Sequence, residues 1–84
     1  MKPSTALVPL AETIAIPSDR GSCHFETEIS VLIGSALSHA NEDECRQAIV
    51  GVGLGLDLTL RDLQSSLKQQ SLPWEKAKAF DGSC

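Results

Sequence analysis

The sequence predicts a β-rich α+β chain, a mixed sheet carrying short helices. Three observations support this. HFETEISVLIG at 24–34 alternates side-chain character with the period of a strand, and VGLGLDL at 52–58 alternates glycine with apolar residues. Helix start signals are confined to two short stretches, after Asn41 and after Thr59.

Residues 1–12 are rich in Pro, Ser and Ala, have no period, and read as an extended lead-in. TIAIP at 13–17 alternates and predicts a short strand stopped by Pro17. PSDRG at 17–21 predicts a turn, because proline presets one backbone angle and Gly21 tolerates a reversed one. The long strand follows. Asn41 with Glu44 forms a capping box, so a short helix is expected from Glu42 to near Gly51, with Ala48 and Ile49 on its inner side. The glycines of 52–58 suit a strand pressed against another backbone. Thr59 with Asp62 predicts a second N-cap, and Leu60, Leu63 and Leu67 space a helix of about three turns that Pro73 ends. The remainder, to Cys84, reads as polar and irregular, with Trp74 capping a small core.

One domain is expected of 84 residues that are 42% hydrophobic and 21% charged. A chain of this size buries only about 60–65% of its unfolded surface, so its core is thin. Seven Lys and Arg dispersed among eleven Asp and Glu give a net charge of −4 and no basic patch, which excludes nucleic-acid and anionic-membrane surfaces. No window approaches the ~20 apolar residues of a membrane span, and MKPSTALVPL lacks a long apolar targeting region. The expected location is cytoplasmic, and the expected partner a small molecule or a protein. Cys23, Cys45 and Cys84 have no metal-binding or disulfide-framework spacing and read as reduced thiols. GVGLG at 51–55 is not a dinucleotide fingerprint, because Leu56 stands where a last glycine belongs.

Glu26 and Glu28 lie two apart on one strand and share a face, about 7 Å from each other, with His24 on the same side. Two partly buried carboxylates that close repel unless a cation holds them ionised. Asp57 interrupts the apolar run GLGLDLTL, where packing alone does not call for polarity. Three carboxylates without a thiolate favour a hard ion, Mg²⁺ or Mn²⁺, although two glutamates on one strand also suit a solvated face. Arg61 opposes the macrodipole in the first turn of its helix, which suits either an anion held with Gln64 or a pairing with Asp57 or Asp62. By composition, Lys78 reads as a solvated lysine.

HFETEISVLIG, GVGLGLDLTLRDLQ and LPWEKAKAFDGSC, in this order, resemble the core motifs of the fumarylacetoacetate hydrolase family over nearly the whole chain. The likeness is greatest to its acylpyruvase, oxaloacetate decarboxylase and 2-hydroxyhepta-2,4-diene-1,7-dioate isomerase branch. The resemblance implies that Glu26 and Glu28 of ExE and Asp57 of DxTxRD bind the divalent ion. It implies substrate contacts for Arg61, Gln64 and Lys78, with Gln64 and Lys78 also serving catalysis. It implies a partial β-roll of the family's C-terminal-domain type, commonly dimeric. The family's His–Glu lid lies upstream of the segment matched by Met1, and its closing strands lie beyond Cys84. Residues 1–84 are therefore expected to be one partial catalytic domain.

The implied substrate is a small 2-oxo acid, and the implied setting is aromatic catabolism. The expected reaction is hydrolytic C–C cleavage of an acylpyruvate or decarboxylation of oxaloacetate, with keto–enol isomerisation of a dienoate as the alternative. All three pass through an enolate. A competing expectation, from the thin core, is a non-catalytic piece that associates through unpaired sheet edges. A metal-free helical interaction module, resting on 59–70 alone, is the third.

Overall fold

A computed structural model describes residues 1–84. Strands β1 (Cys23–Ile33) and β2 (Ile49–Leu60) pair antiparallel as a long two-stranded ribbon. Helix α1 (Glu42–Gln47) lies in the connection between them, and α2 (Arg61–Gln69) and α3 (Glu75–Lys78) follow β2. The fold is α+β and β-rich, and within this chain the sheet is the antiparallel pair.

The register sets the two faces of the ribbon. Phe25 opposes Leu58, Thr27 opposes Leu56, Ile29 opposes Leu54 and Val31 opposes Val52, which makes one face almost wholly apolar. On the other face His24 opposes Thr59, Glu26 opposes Asp57, Glu28 opposes Gly55 and Ser30 opposes Gly53. Period-two alternation thus sends every acid of the ribbon to one side. The ladder is interrupted once, between Leu32 and Ile33.

The core sits at the end of the ribbon where β2 runs into α2. Leu60, Leu67 and Ala77 are buried there, with Cys23, Leu63 and Phe80 packed against them. Asn41 caps α1 as the sequence predicts, its side chain accepting from the Glu44 backbone N–H while Glu44 Oε2 accepts from the Asn41 N–H. Gly21, with φ +79, makes the turn into β1; a side chain there would collide with the Asp62 carboxylate.

Four expectations are corrected. TIAIP forms no strand, because neither strand of the sheet offers it a ladder of partners and alternation alone satisfies no backbone group. α1 stops at Gln47; Ala48 is buried, but Ile49 opens β2 and is exposed. Thr59 is not an N-cap: β2 continues through it, and Leu60 precedes α2 without a side-chain cap. Asp62 instead accepts from the Ser22 backbone N–H at 2.7 Å and the Ser22 hydroxyl at 2.9 Å, tying α2 to the start of β1. Trp74 does not cap the core; it is exposed and precedes α3, a helix the sequence reading did not foresee.

Candidate functional site

Glu26 and Asp57 are cross-strand partners, and Glu28 is the next residue on the same face of β1. One carboxylate oxygen from each of the three lies within 4.8 Å of the others. The convergence follows from the pleat and the register, with no loop needed to bring distant segments together.

Three cations close on this cluster. Lys78 Nζ donates to Glu26 Oε2 at 2.9 Å and to Asp57 Oδ2 at 2.8 Å. Arg61 Nη2 donates to Glu26 Oε1 at 2.7 Å, while Arg61 Nη1 donates to Gln64 Oε1 at 2.5 Å. Arg61 is therefore paired with Glu26, not with Asp57 or Asp62. The structure brings all six residues singled out from the sequence into one cluster, with Gln64 joined to it through Arg61. Glu28 is exposed and enters no ion pair.

Lys2 completes the cluster, and no local pattern marks it. Its Nζ lies 2.9 Å from Asp57 Oδ1 and donates to the backbone carbonyls of Leu58, at 2.9 Å, and of Lys78. The ammonium is off the line of a hydrogen bond to Asp57, so Oδ1 has a cation beside it but no donor aimed at it. The lead-in segment is held in place by backbone bonds from Val8 N–H to Cys84 O and from Cys84 N–H to Ala6 O. Leu58 N–H donates to Ser83 O, and the buried Ser83 hydroxyl donates to Lys78 O at 2.9 Å. Residues at both ends of the chain thereby fix the end of α3 against β2.

The electrostatics follow from these contacts. Hydrogen bonds from Arg61 and then Lys78, with the charge of Lys78 added, lower the Glu26 pKa to about 2. Burial pulls the Lys78 ammonium down, but its bonds to Asp57 and Glu26 outweigh this and hold its pKa above the ordinary lysine value. At neutral pH Glu26 is an anion and Lys78 a cation. A cleft of about 440 Å³ opens beside Lys78, lined also by Lys2, Asp57, Pro73, Trp74 and Glu75.

The donor set fits a hard divalent ion. Glu26, Glu28 and Asp57 would hold it through an all-oxygen set, one carboxylate oxygen from each lying within 4.8 Å of the others. Asp57 Oδ1, buried and without a donor, and Glu28, free of ion pairs, are oxygens with coordination to spare.

Residues 1–84 match in full the family described as fumarylacetoacetate (FAA) hydrolase, C-terminal. The chain belongs to this family. It is 57% identical over 84 residues to oxaloacetate tautomerase YcgM of Escherichia coli (strain K12), covering all of this chain and 38% of that protein. A fumarylacetoacetate hydrolase family protein of Yersinia pestis CO92 superposes with a TM-score of 0.94 at 55% identity, over 99% of this chain and 38% of that one. Fumarylpyruvate hydrolase from Pseudomonas aeruginosa, solved in complex with Mn²⁺ and pyruvate, superposes with a TM-score of 0.86 at 37% identity, over 98% of this chain and 37% of that one. The chain thus spans rather more than a third of the length of these relatives.

Proposed function

We propose that this chain supplies the metal-binding and anion-binding part of an enzyme that interconverts the keto and enol forms of a small 2-oxo acid of the oxaloacetate type. The observation that carries the reading is the convergence of Glu26, Glu28 and Asp57 beside Lys78 and Arg61, in a chain 57% identical throughout to an oxaloacetate tautomerase.

In this reading Glu26, Glu28 and Asp57 hold Mg²⁺ or Mn²⁺, which supplies Lewis acidity toward a 2-oxo acid. Lys78 and Arg61 neutralise negative charge on the substrate carboxylate and on the enolate. The carboxylates beside Lys78 hold its ammonium protonated, so it stabilises anions and does not take up a proton. Gln64, braced by Arg61, orients the bound acid. Pro73 and Trp74 present an apolar wall beside the charged cluster, which limits water around a developing enolate.

A second reading is C–C cleavage, by hydrolysis of an acylpyruvate or by decarboxylation of oxaloacetate. The pyruvate bound in the Pseudomonas aeruginosa fumarylpyruvate hydrolase supports it, because both cleavages release pyruvate. Monitoring oxaloacetate and an acylpyruvate separately, by enol absorbance and by pyruvate release, decides between the readings. Calorimetric titration with Mg²⁺ tests the metal site that both need. Asp57→Ala is expected to weaken binding by more than about tenfold. Unchanged affinity would remove Asp57 from the site and the proposal with it.

A further inference from the structure

We propose that Lys78 is a latch whose ammonium stands in for the divalent ion between Glu26 and Asp57 and is expelled when the ion binds. The proposal rests on the metal-site reading above. Its ground is the way in which the carboxylate oxygens are already engaged.

Glu26 has Arg61 on Oε1 and Lys78 on Oε2. Asp57 has Lys78 on Oδ2 and Lys2 beside Oδ1. Glu26 Oε1, Glu26 Oε2 and Asp57 Oδ2 therefore each accept from a cation, Asp57 Oδ1 has one beside it without a hydrogen bond, and Glu28 enters no ion pair. Glu26, Glu28 and Asp57 are balanced by Lys2, Arg61 and Lys78, so the cluster is formally neutral. Adding a divalent ion without any rearrangement would leave two uncompensated positive charges in a partly buried cluster, with the ion and an ammonium on the same oxygens. One cation has to move.

The structure singles out which one. Lys2 is bolted by two backbone carbonyls, Leu58 O and Lys78 O. Arg61 pairs with Glu26 through Oε1 alone, forms no ion pair with Asp57, and is braced by Gln64. Lys78 alone bridges both acids, which is the position a shared ion takes. It also sits at the end of α3, a four-residue helix with no side-chain cap, where a side-chain swing disturbs little. Expelled from between the carboxylates, its ammonium remains at the rim of the cleft that both Asp57 and Lys78 line. The latch thus has two consequences. It bridges the two acids in place of the ion, and it couples ion loading to the release of a cation toward the substrate.

Calorimetric titration with Mn²⁺ of the wild type, Lys78→Met and Lys78→Gln tests the latch. Removing the competing ammonium is expected to tighten Mn²⁺ binding about tenfold, or about 1.4 kcal/mol. Equal or weaker binding by both variants, with the wild type still binding, overturns the latch and leaves the metal site standing. Absence of binding by all three proteins overturns the metal site and the latch together. A second measurement needs no variant: Mg²⁺ titration of the wild type followed by proton–nitrogen spectra of the lysine ammonium groups. The Lys78 signal is expected to shift and broaden at saturation as its ion pairs break. An unmoved signal in the saturated protein overturns the latch.

Discussion

Glu26 sits between two donors, Arg61 on one oxygen and Lys78 on the other, and this fixes how the protein responds to acid. Its pKa is about 2 in the folded protein against an ordinary value of 4.5. A carboxylate lowered in this way stabilises the fold above its unfolded value, and the contribution is lost as pH falls toward the folded one. The denaturant midpoint of the wild type is therefore expected to exceed that of Glu26→Gln at pH 6. The gap should shrink between about pH 5 and pH 2; a gap independent of pH would mean that the ion pairs add nothing. Lys78 has the opposite sign, since its raised pKa contributes below the ordinary lysine value and is lost only in strong alkali. The acids were legible in the sequence because ExE puts two like charges on one strand face and Asp57 interrupts an apolar run. Lys2 does neither. A lysine in an aperiodic Pro- and Ser-containing segment carries no local mark, and its role arises from the return of residues 83 and 84 to the same place.

The elements of the chain were most legible where one residue type had one physical reason to be present. Asn41 and Glu44 satisfy each other's backbone donors, so the start of α1 was readable. Thr59 had two available roles, as a cap or as a strand residue, and the pairing of β2 with β1 through Cys23 and Leu60 decided for the strand. The end of α2 shows the same competition. Pro73 was the visible stop, yet the helix closes earlier. The Leu72 N–H donates to Leu67 O at 2.9 Å and the Ser71 N–H to Lys68 O at 3.1 Å, the pair of bonds of a Schellman motif. Ser71 takes the left-handed position with φ 56, where glycine is usual. Ser71→Gly is therefore expected to raise stability by up to about 1 kcal/mol, read as a higher urea midpoint. A lower midpoint would show that the serine contributes more than its backbone strain costs.

Taken whole, the molecule is extended. Its radius of gyration is 15.4 Å, against about 12 Å for a compact chain of this length, and 8 of 84 residues are buried. The surplus surface is concentrated on the apolar face of the ribbon, where Ile29 is 73% and Leu54 67% exposed and the two face each other across the strands. A surface of that kind favours association. Sedimentation velocity of the 84-residue chain is expected to show mass increasing with concentration. Ile29→Lys combined with Leu54→Glu, which keeps a favourable cross-strand pair, should suppress the increase. Monomeric behaviour of the unaltered chain at all concentrations would contradict this. The sequence foretold the thin core from length alone, but not which face would be left bare, since that depends on the pairing partner of each residue.

The opposition of Glu26 to Asp57 has one more implication, for how this ribbon tolerates change in length. A residue gained or lost between Cys23 and Glu26 would turn Glu26 and Glu28 toward the greasy side, away from Asp57 on β2, and send Phe25 or Thr27 among the lysines. Beyond Leu32 the ladder already accommodates an irregularity, so a similar insertion there would be absorbed without reaching the charged end. Indels should therefore be survivable at the far tip of the hairpin and ruinous at its root.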